Sequence, residues 1–180
     1  MRVTAGKFKG RNLIENKYAH IRPTADVVKQ AIFNKLNFII ANSVVLDLFA
    51  GTGALGIEAL SRGAKEVLFV DKDFRSVALV KQNLFSLGVT ADVIRGDYLN
   101  AIKFFKSQNK KFDIILLDPP YRSGVYEDCL KAISSYDILS NEGIIVCEQD
   151  KKLNFDFSPF VVESEKIYGI KKVVYLKKNI

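Results

Sequence analysis

The sequence predicts an α/β fold with a mostly parallel sheet, because short apolar runs alternate with stretches of helical character along most of the chain. Repeats of this kind are typical of βαβ units, whose parallel strands need crossover connections. The chain has 180 residues, of which 48% are hydrophobic and 26% are charged, and this fits one domain with a substantial core. No apolar run approaches the length that a membrane-spanning helix needs.

Local sequence justifies each element in turn. The first strand, 44–49, begins with β-branched residues and ends before Gly51, and the second, 67–70, ends at Asp71. Gly88 ends the helix predicted over 76–87. The same patterns predict strands at 92–95, 112–117 and 143–148, and helices at 54–61, 98–107 and 125–136.

Segments at the two ends complete the predicted fold. Residues 160–168 and 170–177 are typical of an antiparallel strand pair around Gly169, which brings the sheet to seven strands. A helix near 24–39 precedes the first strand, and a basic hairpin precedes that helix.

The net charge of +7 is concentrated at the two ends of the chain. Residues 1–30 hold seven Lys or Arg against two acids and residues 151–180 hold seven against three, whereas residues 31–150 hold thirteen against fifteen. A charge run is most often a solvated face, but Gly and Phe interleave with the basic residues of 6–11, which favours a nucleic-acid backbone as partner. Two cysteines without a CxxC or His cluster favour the cytoplasm over a disulfide framework or a zinc site.

The loop after the first strand carries the glycine pattern Gly51, Gly53 and Gly56. Alone, this pattern is weak evidence for a nicotinamide dinucleotide site. Asp47 changes the interpretation, because an acid at the start of the loop repels a pyrophosphate and suits a cationic or amine-bearing ligand.

Acids also end the next two predicted strands, at Asp71 and Asp97. Ligands of parallel sheets bind at the carboxyl ends of the strands, where Asp71 is spaced to accept from ribose hydroxyls and Asp97 from an adenine amino group. One such acid alone is more often a helix cap or a turn residue. All three beside a glycine loop predict S-adenosylmethionine, an adenosine that carries a positive sulfonium.

The fourth predicted strand runs directly into Asp118-Pro119-Pro120-Tyr121. Because a residue before proline is held extended, Asp118 and Pro119 keep free carbonyls at the strand end. A carboxylate, free carbonyls and a flat ring suit a planar base with an amino group, such as adenine N6, cytosine N4 or guanine N2. The alternative is a rigid turn without a ligand. The interpretation we adopt is methyl transfer to an aromatic amine, with rate enhancement from orientation and electrostatics and without a metal.

These motifs resemble those of a known family. Residues 47–53 are similar to the first motif of class I S-adenosylmethionine-dependent methyltransferases, and residues 118–121 to the Asp/Asn-Pro-Pro-Tyr motif of those that methylate exocyclic amines. Residues 1–11, 22–26 and 47–63 resemble the RsmD-type 16S ribosomal RNA guanine-N2 methyltransferases, and the likeness covers nearly the whole chain. The family often has Gly-Ser-Gly where this chain has Gly51-Thr52-Gly53, and Glu where it has Asp71.

The resemblance implies a Rossmann-like fold with helices on both faces of the sheet, in one methyltransferase domain over residues 1–180. Within it, residues 1–22 form the basic hairpin extension and residues 23–180 the catalytic core. It further implies a monomer that methylates N2 of a guanine in 16S ribosomal RNA, by resemblance the guanine at position 966, within a small-subunit particle. No membrane partner is expected.

Motifs and resemblance together give three sets of candidate site residues. The catalytic set is Asp118, Pro119, Pro120 and Tyr121. The cofactor-binding set is Asp47, Phe49, Gly51, Gly53, Asp71, Lys72, Asp97, Tyr98 and Thr24, with Thr24 also a plausible N-cap of the first helix. The substrate-binding set is Arg2, Lys7, Lys9, Arg11, Arg22 and Arg122, in which Arg22 pairs with either an RNA phosphate or the cofactor carboxylate.

Two other functions stay open at this point. A DNA adenine-N6 or cytosine-N4 methyltransferase also uses such a tetrad, although 180 residues leave no room for a large target-recognition domain. A non-enzymatic RNA-binding or assembly protein on the same fold is the second, and the four acids Asp47, Asp71, Asp97 and Asp118 argue against it.

Overall fold

In a computed structural model that describes residues 1–15, 24–119 and 124–179, with the side chains of Thr24 and Ala25 left aside, five helices surround a seven-stranded sheet. The strands are β1 (Val44–Asp47), β2 (Glu66–Asp71), β3 (Asp92–Arg95), β4 (Phe112–Leu117), β5 (Leu139–Asp150), β6 (Phe160–Tyr168) and β7 (Lys171–Lys178). The helices are α1 (Thr24–Lys35), α2 (Ala54–Ser61), α3 (Phe74–Leu87), α4 (Tyr98–Ser107) and α5 (Val125–Ser135).

The strand order is β3-β2-β1-β4-β5-β7-β6. The first five of these pair in parallel, and β7 pairs antiparallel with both β5 and β6. The chain runs outward in one direction from β1 through β2 to β3 and then restarts on the other side of β1 with β4. This reversal places a topological switch point between β1 and β4, the usual position of a ligand crevice in an open α/β sheet.

Side chains alternate between two hydrophobic cores, one on each face of the sheet. Val45, Ile114 and Ile144 pack with residues of α1, α2 and α3 on the first face. Their neighbours Leu46 and Ile115 pack with residues of α4 and α5 on the second face. Because both faces are covered, the strands are almost continuously apolar, and the predicted Rossmann-like α/β fold is confirmed.

Several predicted boundaries were wrong by two residues or more. The third helix begins at Phe74, not at 76, because Asp73 caps it by accepting from the Arg75 amide (2.9 Å). The first strand ends at Asp47, not at 49, because the Ala50 amide donates to the Val70 carbonyl of β2 (3.0 Å) and turns the chain away from the ladder. The fifth strand spans 139–150 instead of 143–148, because Leu139 already pairs with Phe112 before a bulge in the β4–β5 ladder.

The first helix ends at Lys35, not near 39. The Asn37 and Ile39 amides bond to carbonyls three residues back, which tightens the chain into turns. These turns carry Ile40 into the core (2% exposed) and leave Phe38 93% exposed. No glycine marks the end of this helix, so the apolar pattern of the sequence predicted a helix that was too long.

The basic hairpin predicted within residues 1–22 is seen over residues 1–13, which we call the N-terminal hairpin, and residues 16–22 lie outside the described residues. Arg2 and Asn12 form an antiparallel bridge, and the Val3 amide donates to the Arg11 carbonyl (2.9 Å). Val3 and Leu13 are buried and fix the hairpin on the first core. Among the described residues, no helix is long and apolar enough to cross a membrane.

Candidate active site

The glycine loop after β1 uses all of its glycine amides within the protein. The Gly51 amide donates to Oδ2 of Asp71 (2.9 Å), the Gly53 amide to the Ala50 carbonyl (2.7 Å), and the Gly56 amide to Oδ2 of Asp47 (2.9 Å). Gly51 and Gly53 both have positive φ, which explains the residue type at these turns. A loop built in this way has no glycine N–H left for a pyrophosphate, which argues against a dinucleotide.

Asp47 lies beneath this loop and is 3% exposed. Burial raises the pKa of its carboxyl to about 7, although the Gly56 amide lowers it and the Asp71 carboxylate raises it further. A positive charge above the loop would favour the ionised form of this carboxyl, whereas a phosphate would oppose it.

Asp71 and Asp97 stand at the carboxyl ends of β2 and β3. Asp71 orders both the loop and the turn after β2, because its Oδ1 accepts from the Asp73 amide (2.9 Å) while its Oδ2 holds the Gly51 amide. Asp97 caps α4 by accepting from the Leu99 amide (2.9 Å), as the cap interpretation requires, but its exposed side chain also lines the pocket described next.

A pocket of about 480 Å³ opens over the carboxyl ends of β1 to β4. It collects most of the predicted cofactor residues together with one predicted catalytic residue. The lining residues are Leu48, Phe49, Gly51, Asp71, Lys72, Asp73, Ser76, Gly96, Asp97, Tyr98, Asp118 and Val125. Asp47 and Gly53 are buried and do not belong to this lining.

Two aromatic rings border the pocket. The ring centroids of Phe49 and Tyr98 are 5.7 Å apart, with an interplanar angle of 43°. Partial burial, together with nearby Cys129, Asp128 and Asp97, raises the pKa of the Tyr98 phenol, so it keeps its proton and remains a donor. The rings supply apolar area beside the carboxylates, as a purine would require.

Asp118 comes directly after β4 and lines the pocket, and Pro119 behind it is buried. Burial is the main cause of a raised Asp118 pKa; Glu148 raises it further, Lys171 lowers it and Asp47 raises it slightly. Glu148 and Lys171 form an ion pair of 2.9 Å in which each side chain is 14% exposed. Asp118 therefore sits between the glycine loop and a second pair of charges. The predicted residues Pro120, Tyr121, Arg122 and Arg22, and the side chain of Thr24, lie outside the described residues.

The basic side chains predicted to bind substrate project from the N-terminal hairpin. Arg2, Lys7, Lys9 and Arg11 are all exposed. Arg11 has a structural contact as well, because its Nη2 donates to the Ser86 carbonyl of α3 (2.6 Å). The hairpin turn rests on the C-terminal end of α2, where the Lys7 amide donates to the Ser61 carbonyl (2.7 Å).

Comparison with known proteins decides the family. The family profile described as Conserved hypothetical protein 95 matches residues 1–177. A relative from Bacillus subtilis, provisionally named an rRNA methyltransferase, is 39% identical over 99% of this chain and 100% of its own length. Ribosomal RNA small subunit methyltransferase D from Escherichia coli is 31% identical over 94% of this chain and 85% of its own. The chain belongs to the RsmD family.

Solved structures agree with this RsmD-type assignment. A provisionally named methylase from Haemophilus influenzae has a TM-score of 0.80 at 32% identity, covering 99% of this chain and 98% of that one. The 16S rRNA N2 G1207 methyltransferase of Thermus thermophilus, solved with AdoMet and guanosine, has a TM-score of 0.72 at 22% identity, covering 91% of this chain and 45% of its own. The fold is therefore that of the class I S-adenosylmethionine-dependent methyltransferases.

Sequence reasoning missed the residues that attach the hairpin to this RsmD-type core. Glu58 of α2 is fully buried and accepts from the Thr4 amide (2.9 Å), the Thr4 hydroxyl (2.5 Å) and the Ala5 amide (3.1 Å). It also pairs with Arg62 (2.9 Å) and Lys29 (3.5 Å). A lone acid in the apolar helix sequence ALGIEALS was the available indication.

Asn83 of α3 was missed as well. Its fully buried amide donates to the Thr52 carbonyl in the glycine loop (2.9 Å) and to the Ile14 carbonyl (3.0 Å), and its oxygen accepts from the Ile14 amide (2.7 Å). One side chain thus fastens the segment after the hairpin to the loop beside the pocket. A polar residue on the buried face of an amphipathic helix was the indication in this case.

Proposed function

We propose that this RsmD-type protein transfers a methyl group from S-adenosylmethionine to the exocyclic N2 amino group of a guanine in 16S ribosomal RNA. The observation that carries the proposal is that Asp118 lines the same pocket as Gly51, Asp71 and Asp97. The strand end that suits an amine and the loop that suits a methyl donor thereby share one cavity at the switch point of the sheet.

The chemistry of the pocket fits a cationic adenosine. The amides of Gly51, Gly53 and Gly56 already donate to protein acceptors, so a ligand can lie close to the loop backbone without having to supply an anionic group. In the proposal, Asp71 accepts from the ribose hydroxyls, Asp97 from the adenine amino group, and Phe49 with Tyr98 flanks the adenine. Buried Asp47 supplies negative charge from below the loop, and exposed Lys72 lies at the rim.

The cofactor supplies an electrophilic methyl group, so the protein has to present a nucleophilic amine in line with it. An aromatic amino nitrogen is a poor nucleophile because its lone pair is delocalised into the ring. Hydrogen bonds from its N–H groups to the Asp118 carboxylate and the Pro119 carbonyl would draw it toward tetrahedral geometry. Asp118 then accepts the proton that leaves the methylated nitrogen, and its raised pKa suits this role. In this proposal Tyr121 stacks on the base, and no metal is needed.

An RNA substrate is supported by the basic hairpin and by the small-subunit rRNA methyltransferases among the relatives. Exposed Lys7 and Lys9 are proposed to contact phosphates, with Arg2, Arg22 and Arg122 on the same substrate. We further propose that the protein acts as a monomer on a small-subunit particle in the cytoplasm. Replacing Lys7 and Lys9 with Gln should make the negative slope of log K against log salt shallower by about 1.4 to 1.8.

A direct test compares methylated nucleotides, by mass mapping, in ribosomal RNA from cells with and without this protein. Loss of one N2-methylguanine from 16S RNA is expected. Labelled methyl transfer by the purified protein to small-subunit particles and to duplex DNA provides the second arm. Transfer to DNA alone would replace this proposal with the DNA methyltransferase alternative.

The role of Asp118 has its own test. Asp118→Ala should retain S-adenosylmethionine binding and lose about 100-fold or more in turnover, because it removes an acceptor that positions the amine. Asp118→Asn is the matched variant: its amide oxygen still accepts one N–H, so part of the turnover should return. Equal turnover in the Ala variant and the wild type would remove Asp118 from the mechanism.

A further inference from the structure

A second row of charged side chains continues from Asp118 across the carboxyl edge of the sheet. Leu117 of β4 pairs with Cys147 of β5, so the next residues, Asp118 and Glu148, stand opposite each other. Glu148 in turn pairs with Val173 of β7, two residues after Lys171. The three charged residues therefore follow the strand order β4, β5 and β7.

Alternation along the strands places these three side chains on one face of the sheet. Leu116, Val146 and Val173 belong to the core under α1, α2 and α3. Their neighbours Leu117, Cys147 and Val174 belong to the opposite core. Side chains two residues apart on a strand share a face, and Asp118, Glu148 and Lys171 are each two residues from Leu116, Val146 or Val173. All three therefore lie on the face of the first core, just beyond its edge.

Glu148 and Lys171 are held firmly in place. Their ion pair is 2.9 Å long, each side chain is only 14% exposed, and the Tyr126 hydroxyl donates to the Glu148 carbonyl. Removing this pair from water costs desolvation energy, so fold stability alone is a weak reason for a salt bridge between β5 and β7 at this position. Its position next to the amine-accepting Asp118 suggests a role in binding the base.

The charge order across the strands is negative, negative, positive. The Watson–Crick edge of guanine presents, in the same order from the target amine, two donors and one acceptor: the N2 amino group, N1–H and O6. Adenine and cytosine follow their amino group with an unprotonated ring nitrogen, which a carboxylate at the second position repels. The row is thus complementary to guanine and not to the other two candidate bases.

We propose that Glu148 and Lys171 are specificity-determining residues that select guanine, with Glu148 accepting from N1–H and Lys171 donating to O6 while Asp118 holds the N2 amino group. The proposal rests on the proposed function and adds the reason why guanine, among the three amine-bearing bases, is the substrate.

The test uses small-subunit particles whose 16S RNA carries guanine, 2-aminopurine or 2,6-diaminopurine at the methylated position. Both analogues keep the amine at C2 but replace N1–H with an acceptor and lack O6. The wild type should prefer guanine by about tenfold to 100-fold in kcat/KM, because with the analogues the Glu148 carboxylate faces an unprotonated N1 and Lys171 has no O6 to donate to. Glu148→Gln should reduce this preference by about tenfold, since its amide donates to an unprotonated N1.

Lys171→Met gives a second, independent measurement, and it should lower kcat/KM for guanine much more than for 2-aminopurine. Glu163→Gln is the matched control, because Glu163 of β6 pairs with Lys35 of α1 and Lys177 of β7, is 34% exposed and should leave the preference unchanged. If both site variants lower all three rates equally, the ion pair is only structural and the inference is overturned. If the wild type methylates adenine or cytosine and never guanine, the proposed function falls with it.

Discussion

The buried carboxylate that holds the N-terminal hairpin gives the sharpest prediction for stability. Glu58→Gln keeps the shape of the side chain and removes its charge. In the native protein this carboxylate accepts three hydrogen bonds from Thr4 and Ala5 and pairs with Arg62 and Lys29. Lys29 is 2% exposed and also lies 3.5 Å from Asp26, whose side chain is 37% exposed, so in the variant it would lose the buried one of its two carboxylate partners.

The expected cost is about 3 to 5 kcal/mol, the usual penalty for removing one partner of a buried ion pair. The amide can still accept through Oε1, but its NH₂ group faces donors at the other position, so at least one hydrogen bond of the cluster is lost. A loss of this size is a large fraction of the stability of an ordinary domain. Urea unfolding followed by circular dichroism measures it directly.

Glu66→Gln is the matched control. Glu66 pairs with Lys110 at 2.6 Å, but the two side chains are 39% and 29% exposed, so water screens the pair and the cost should stay below about 1 kcal/mol. If Glu58→Gln and Glu66→Gln destabilise the protein equally, the argument from burial is refuted. RNA binding should also fall in Glu58→Gln, because the exposed lysines lose their fixed position.

Three further predictions concern the loop, the hairpin turn and pH. Gly6→Ala should cost more than Gly10→Ala in free energy of unfolding, because both have φ near +80° but only at Gly6 does the added Cβ come within 1.8 Å of a carbonyl oxygen, on α2. Asn83→Asp should weaken S-adenosylmethionine binding measured by calorimetry, since it loses the donor to Thr52; unchanged affinity would show that this link does not shape the loop. Because the folded-state pKa of Asp47 is raised from 3.8 to about 7, its contribution to stability is present below about pH 4 and is lost as pH rises to 7. The free energy of unfolding should therefore fall by up to about 4 kcal/mol over this range in the wild type and not in Asp47→Asn. Parallel pH profiles of the two proteins would contradict this.

Sequence patterns predicted best those helices and strands whose ends are marked by a glycine or an acidic residue. The bounds of α2, β3 and β4 were predicted to the residue, since Gly53, Asp97 and Asp118 stand next to or near their ends. The end of α1 was wrong because no such residue marks it, and packing of Ile40 decides it instead.

The acids at the strand ends of the candidate site were predictable from the sequence, whereas Glu58 and Glu148 were not. Successive strand ends are local features, so Asp71, Asp97 and Asp118 could be proposed from the sequence, and all three line one pocket. The environment of Glu58 depends on a residue 54 positions earlier in the chain, and no local pattern carries that information. Glu148 looked like an ordinary strand end until strand order placed it beside Asp118.

The internal bonding of the glycine loop also decides which other molecules compete for this pocket. ATP and nicotinamide dinucleotides bring the same adenosine, but their phosphate oxygens need donors that Gly51, Gly53 and Gly56 have already given to protein acceptors. Such ligands would have to break those bonds or leave phosphate charge beside two carboxyl groups, Asp47 and Asp71. We therefore expect the common adenine nucleotides of the cell to bind this pocket weakly. Inhibitors built on adenosine should accordingly carry positive charge, and not phosphate, at the 5′ position.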